Sequence, residues 1–271
     1  MRASRDVVSG LTRELPTHYS KPHHRCRLRA ILTYHSIDDS GSPISLDAAT
    51  FARHVEFLAS GKVEVVPLER LAQVPDERHA AAITFDDGFD NFARLAWPLL
   101  RERRLPATLF VATARAGSDN AWSGSDVPGI PRLPLMDWSA LRRLASEGLA
   151  LGSHSRTHPR LTKSSPADLE HELAGSASDL EREIGARPRS FCYPYGDLDE
   201  RVAAAARRHY TLGCTTELAA LGAAPDPLLL PRLDAFYYRS PGRLEAWGSS
   251  SFRLHLGLRA AARRARAWLL G

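Results

Sequence analysis

The sequence predicts an α/β protein, a parallel sheet either open or closed into a barrel, built as a single domain. Three observations carry that expectation. From residue 30 onward short apolar runs alternate with longer stretches of helical period. Such strand–helix alternation produces parallel pairing, because each crossover returns the chain to the same end of the sheet. The chain has 271 residues, 44% of them hydrophobic, enough for one substantial core. No Gly-x-Gly-x-x-Gly or Walker-type loop follows any strand, so the nucleotide-binding versions of such folds lose weight.

Taken in order, the run AILTY at 30–34 reads as a buried strand. Residues 46–60 carry Phe51, Val55 and Leu58 at three- and four-residue spacing and read as an amphipathic helix. A strand follows at 63–66, a short helix starts at 68–71, and AAAITF at 80–85 is the next strand. Residues 89–103 read as a helix and ATLFVA at 107–112 as a strand. The segment 117–134 is rich in Gly, Ser and Pro and lacks periodicity. It exceeds most connections in compact domains, which points to a functional loop or lid. Residues 138–147 read as a helix, and a strand starts at 149–151. Ser165-Pro166-Ala167-Asp168 is a helix start, with a serine cap, proline in the first turn and an acid at the third position. Leu169, Leu173, Ala177, Leu180 and Ile184 form the apolar face behind it. A strand at 190–193, a helix at 199–208 and a strand at 210–214 complete the alternation.

Charge divides the chain into a basic leader at 1–29, a barrel domain at 30–250 and a basic amphipathic tail at 251–271. The formal net charge is +5. Beyond Glu245 there is no acid, while Arg253, Arg259, Arg263, Arg264 and Arg266 supply five positive charges. The body between the ends is net negative. A nucleic-acid-binding domain shows the reverse, a basic folded face, so no nucleic-acid partner is expected. The leader holds no apolar stretch of a secretory signal, which places the protein in the cytoplasm. The tail mixes its arginines with Leu254, Leu256, Leu258, Trp268, Leu269 and Leu270, and offers a peripheral membrane contact. Packing of the same helix on the barrel is the alternative. No apolar run approaches the ~18 residues that span a bilayer. Three cysteines, Cys26, Cys192 and Cys214, make neither a disulfide scaffold nor a CxxC metal module.

In parallel α/β folds chemistry gathers at the carboxyl ends of the strands. There this chain places His35 after AILTY, Asp86-Asp87-Gly88 after AAAITF, His154 and His158 after the strand near 150, and Pro194-Tyr195-Gly196 after SFCY. Alone, Asp86 and Asp87 read first as a helix-capping turn, with one cation ligand beside one base as the alternative. Joined to Asp87, His154 and His158 give three ligands with an open position, the pattern of a catalytic zinc site.

The motifs Thr84-Phe85-Asp86-Asp87-Gly88, His154-Ser155-Arg156-Thr157-His158 and Phe191-Cys192-Tyr193-Pro194-Tyr195-Gly196 resemble, in this order, those of polysaccharide deacetylases. These are carbohydrate esterases of the NodB-like, family 4 type, and the resemblance covers roughly residues 30 to 235. It implies a distorted (β/α)7-type barrel and a divalent metal, zinc first, with cobalt or nickel as alternatives. It also implies removal of acetyl groups from an acylated glycan or glycolipid, most often N-acetylglucosamine. Position by position, Asp87, His154 and His158 would hold the metal and Asp86 would be the general base.

Two departures stand out. The family often has an arginine where this chain has Cys192, which leaves open what orients Asp86; Arg232, in Leu230-Pro231-Arg232-Leu233-Asp234, is a candidate, near the substrate. The family's C-terminal leucine–histidine motif is missing, since His255 lies in the basic tail. Leu32-Thr33-Tyr34-His35 resembles the permuted arrangement of poly-N-acetylglucosamine deacetylases, which makes His35 the expected catalytic histidine. The backbone N–H of Tyr195 is the expected oxyanion donor, with Tyr193, Tyr195, Trp122 and Trp138 as sugar-facing aromatics. An O-acetyl esterase and a binding protein without turnover remain the alternative functions.

Overall fold

The computed structural model describes residues 27–122 and 128–270, and the side chains up to residue 266. Most of the leader, including Cys26, and the tail side chains of Trp268, Leu269 and Leu270 lie outside the described residues. The strands are β1 (Arg29–Tyr34), β2 (Ser36–Ile37), β3 (Ser45–Leu46), β4 (Glu64–Val65), β5 (Ala80–Phe85), β6 (Ala107–Val111), β7 (Ala150–Ser153), β8 (Ser190–Cys192), β9 (Leu212–Cys214) and β10 (Arg232–Asp234). The α-helices are α1 (Ala48–Ala59), α2 (Trp97–Glu102), α3 (Trp138–Ser146), α4 (Pro166–Ile184), α5 (Glu200–Ala206) and α6 (Ser250–Leu270).

The main sheet is all parallel and runs β10-β1-β5-β6-β7-β8-β9, with β4 paired to the start of β5. A parallel bridge between Cys214 and Leu230 draws its two ends together, so the sheet is nearly closed into a barrel. β2 and β3 form a separate two-stranded ribbon beside it.

Period-two alternation divides each strand between two cores. Ala30, Leu32, Ala81 and Ile83 face outward into a cluster shared with α1, α2, α3 and α6. Ile31, Ala80, Ala82, Phe110, Cys192 and Cys214 face each other inside the barrel, where Leu68, Leu71 and Val74 join them. The interior is narrow: a Cβ added at Gly152 would stand 2.5 Å from Phe110 and 2.7 Å from Ser190 Oγ. Continuing the inward row up β5 gives Ala80, Ala82, Thr84 and then Asp86, so the apolar filling ends in a carboxylate.

The expected strands and helices appear, most within a few residues of their predicted limits. Ser165 caps α4 by accepting from the Asp168 N–H at 3.2 Å, and Gly185 closes it at φ +78°. The helix expected at 89–103 starts instead as a π-turn over Phe92–Ala96, where the Trp97 N–H donates to Phe92 O. Pro98 explains the widening, because its ring crowds the carbonyl of residue 94. β1 opens at Arg29, whose buried guanidinium donates to Val74 O at 2.7 Å and Gly222 O at 3.0 Å. α6 packs on the barrel through Phe252 and Ala260, while Leu254 and Leu258 stand exposed. No helix of the described residues is long and apolar enough to cross a membrane.

Candidate metal centre and active site

A cleft of about 400 Å³ opens at the carboxyl ends of the strands, and His35, Asp86, Asp87, His154, His158 and Tyr195 line it. From the described parts of the segment 117–134, Asn120, Trp122 and Ile130 line the cleft.

Asp87, His154 and His158 converge deep in the cleft. Nε2 of each histidine stands 3.4 Å from Asp87 Oδ1. Donor atoms ~2.1 Å from a tetrahedral zinc ion stand about 3.4 Å apart, so these spacings fit one shared cation. The tautomer agrees. His154 Nδ1 lies 2.7 Å from Cys192 O, and a carbonyl only accepts, so Nδ1 carries the proton. Nε2 of a neutral His154 would aim a lone pair at a carboxylate, so a positive charge, either a proton on Nε2 or a bound cation, stands between them. Burial opposes charge on His154, yet Cys192 and Asp87 hold its pKa well above the usual value. Of the two, Asp87 acts at neutral pH, because burial pushes the Cys192 thiol up to about 11. Burial and the neighbouring His154 press His158 down to about 3, which leaves a neutral imidazole.

His158 is held by rings. Trp122 stacks on it at 4.3 Å and Tyr195 meets it edge-on at 4.5 Å, while its buried Nδ1 has no hydrogen-bond partner among the described residues. The backbone around these ligands is unusual. Asp87, Ser155, His158 and Tyr195 are four of the five described non-glycine residues at positive φ. Such conformations cost of order 1–3 kcal/mol each and persist where the surroundings over-determine them, characteristically at functional sites.

Asp86 lines the same cleft beside this trio, within reach of His154, and is gripped from the barrel interior. Arg232 Nη1 donates to its Oδ1 and Nη2 to its Oδ2, both at 2.8 Å. The same guanidinium donates to Thr33 Oγ1 and Thr215 O at 2.9 Å and stands 3.1 Å from Cys192 Sγ. Burial would raise the Asp86 pKa, but Arg232 holds it well below the ordinary carboxylate range. Arg232 thus answers what orients Asp86, reaching it from β10 with the small Cys192 leaving room. Its placement among sugar-binding residues is corrected: the side chain is 2% exposed and lines no part of the cleft.

His35 Nε2 lies 3.7 Å from Asp86 Oδ2, with the imidazole a quarter exposed at the cleft. His255 is elsewhere, bonded to Tyr237 O at 3.0 Å. Tyr195 is 47% exposed at the rim and Arg160 lies 4.9 Å over its ring. Its backbone N–H makes no hydrogen bond to the protein among the described residues. Two aromatic expectations are corrected. Tyr193 reaches the cleft wall, but its ring is buried against Phe191, because period-two alternation turns it outward into the helix layer. Trp138 opens α3 and packs on the outer core without touching the cleft. Asn120, Ile130, Arg160 and Thr216 line the cleft unforeseen; they sit on loops whose fold no periodicity reveals.

Fold and site together put a cluster of groups that could hold a metal ion, Asp87, His154 and His158, at the mouth of a nearly closed parallel barrel. The sequence profile of the polysaccharide deacetylase family matches residues 73–212, and the chain belongs to that family. It is 25% identical to the Bacillus subtilis protein YxkH over 69% of this chain and 64% of the relative. It is 22% identical to a Staphylococcus aureus poly-β-1,6-N-acetyl-D-glucosamine N-deacetylase, over 71% of this chain and 69% of that one. It is 26% identical to Cryptococcus neoformans chitin deacetylase 1, over 54% of this chain but only 29% of the relative. Thus the matched region falls short of two thirds of some of these relatives. Among solved structures, IcaB from Ammonifex degensii aligns with a TM-score of 0.67 and 22% identity, over 83% of this chain and 98% of that one. The Streptococcus pyogenes deacetylase PplD aligns with a TM-score of 0.65 and 21% identity, over 76% and 92%. These two likenesses bear on the barrel fold.

Proposed function

We propose that this protein is a metal-dependent hydrolase that removes acetyl groups from N-acetylhexosamine units of a glycan or its lipid-linked precursor. The observation that carries the reading is the Asp87–His154–His158 trio, set beside an ionised Asp86 and His35 in one cleft. The curated relatives named for N-acetylglucosamine polymers support the substrate class. A divalent cation, zinc first and cobalt or nickel next, would be held by Asp87, His154 and His158; it supplies Lewis acidity that activates water and polarises the acetyl carbonyl.

Asp86 accepts a proton from the attacking water as general base. Arg232 keeps it ionised across the working pH range and fixes which oxygen faces the cleft. The tetrahedral oxyanion meets the Tyr195 N–H, which makes no hydrogen bond to the protein among the described residues and sits in the strand-end turn after Pro194. His35 then protonates the departing sugar nitrogen, since an amide leaves poorly as an anion. Trp122 and Tyr195 form the apolar rim on which a sugar face rests.

Acetate release from N-acetylglucosamine oligomers, with an O-acetylated xylan fragment and Asp86→Asn alongside, tests this. Release from the N-acetyl oligomers that vanishes in the variant is expected. Release from the xylan fragment alone would replace the reading with an O-acetyl esterase, and near-full turnover by Asp86→Asn would remove Asp86 as base.

The proposal includes a cytoplasmic location, with the exposed Leu254 and Leu258 of α6 resting on an anionic membrane between flanking arginines. Phosphatidylglycerol vesicles should pellet the full chain and lose a Leu254→Ser/Leu258→Ser variant; equal pelleting removes the contact.

A further inference from the structure

The inner side of α6 bounds a second cavity, of about 560 Å³, that the proposed reaction leaves unused. Arg259, Arg263 and Arg266 line it from the helix, and Asp234, Phe236 and Tyr237 from the segment after β10. Spacings of four and three residues put the three arginines on one helix face. None of the three is in a salt bridge among the described residues. The sequence offers a reason: no acid follows Glu245, so α6 supplies no acidic side chain of its own beside these three. Three guanidinium groups thus face a concavity whose one carboxylate is Asp234. Burial raises the Asp234 pKa, opposed first by His35 and then by Arg263 and Arg232.

The cavity adjoins the cleft. A small depression between them shares His35 and Ile44 with the cleft, and Pro43, Asp234 and Phe236 with the cavity. A ligand emerging past His35 therefore runs toward the arginines. Tyr237, with Arg259 at 5.4 Å over its ring, and the partly buried Phe236, with Arg239 at 4.0 Å over its ring, give the concavity its apolar lining.

We infer that this cavity is an anion-binding subsite that selects substrates carrying a phosphate or carboxylate group next to the acetylated sugar. The inference rests on the deacetylase reading for its substrate, and on geometry alone for the anion. Guanidinium groups suit both anions through paired N–H donors, and a concave site shields them from solvent more than an open surface does. An acidic sugar residue of a polymer and the phosphate of a sugar-phosphate precursor would both satisfy it.

The test has a binding arm and a turnover arm, both on the full metal-loaded chain. In the first, N-acetylglucosamine 1-phosphate, glucuronic acid and neutral N-acetylglucosamine are titrated by ligand-observed NMR against wild type, Arg259→Gln/Arg263→Gln, and Arg264→Gln, whose residue lies outside the cavity lining. Wild type should bind at least one anionic probe roughly tenfold more tightly than the neutral one, as expected for one or two charge-assisted hydrogen bonds. The double variant should lose that preference and Arg264→Gln should keep it. In the second arm, KM for N-acetylated oligosaccharides with and without a uronic acid or terminal phosphate should fall about tenfold with the anion, in wild type only. The better anion identifies the source, polymer or sugar phosphate. Equal binding of all probes, or a preference unchanged in the double variant, overturns the subsite even if neutral oligomers are deacetylated. Arginine-dependent anion binding without any acetate release supports the subsite and counts against the deacetylase reading instead.

Discussion

Replacing Arg232 by methionine keeps much of the aliphatic stem and removes the guanidinium that grips both oxygens of Asp86. Asp86 and Arg232 are 3% and 2% exposed, so the carboxylate left without its guanidinium stays largely desolvated. Breaking one partner from a buried pair costs about 3–5 kcal/mol, because the remaining charge stays desolvated. That is a large share of the ~5–15 kcal/mol available to a domain. The pH dependence gives the sharper check. In the wild type the Asp86 pKa is depressed, so its contribution to stability is present above the unfolded value near ~3.9 and is lost only as pH falls through the lower folded value. Without Arg232, burial raises the same pKa above the unfolded value. The variant then loses stability as pH rises through that raised value. Its deficit against wild type should therefore be smaller at acid pH and approach about 3–5 kcal/mol at neutral pH. Chemical denaturation at several pH values measures this, with acetate release in parallel. Arg232→Lys, which restores a charge without the two-pronged grip, should recover stability more than turnover. A deficit equal at all pH values, or unchanged turnover in Arg232→Met, would refute the assignment of Arg232 to Asp86.

Other consequences follow from the same geometry. Asp87→Asn and His154→Ala each remove one of three ligand groups, and metal content measured after dialysis should fall sharply, with affinity down by about 100-fold or more; full retention would show that the cation sits elsewhere. Removal of the metal by a chelator should lower the melting temperature, since a cation bound only by the native state stabilises it by mass action. His35→Ala should leave metal content intact and reduce kcat by about 10²–10⁴, the range of a lost general acid; a change in KM alone would assign His35 to binding. Gly196→Ala places a Cβ 1.9 Å from Thr216 Oγ1 at a residue with φ +67°, so it should destabilise by more than ~1 kcal/mol and impair turnover through the adjoining Tyr195 turn.

Much of this protein was legible in its residues before any coordinates. Strands with both faces buried, such as AAAITF, leave uninterrupted apolar runs, and their right-end neighbours Asp86, His154 and Tyr195 therefore announced themselves as polar groups at strand ends. The Ser165 cap and the Gly185 stop are local chemistry, set by side chains a few residues apart. The Asp87, His154 and His158 set was readable for the same reason: each ligand sits just after a strand or in the turn that follows it, and a parallel barrel gathers all such ends on one rim. Tertiary structure alone decided the rest. Arg232 sits in a three-residue strand with no apolar run to mark it, and its partnership with Asp86 spans 146 residues of sequence. Period-two alternation, counted from the strand and not from the motif, buried Tyr193, and packing on the outer core claimed Trp138. From sequence the arginines of α6 belong to an amphipathic tail, suited to a membrane contact or to packing on the barrel. Only the folding of that helix against the segment after β10 sets three of them along one open concavity, because a concavity depends on what lies opposite, and no residue's neighbours in sequence determine that.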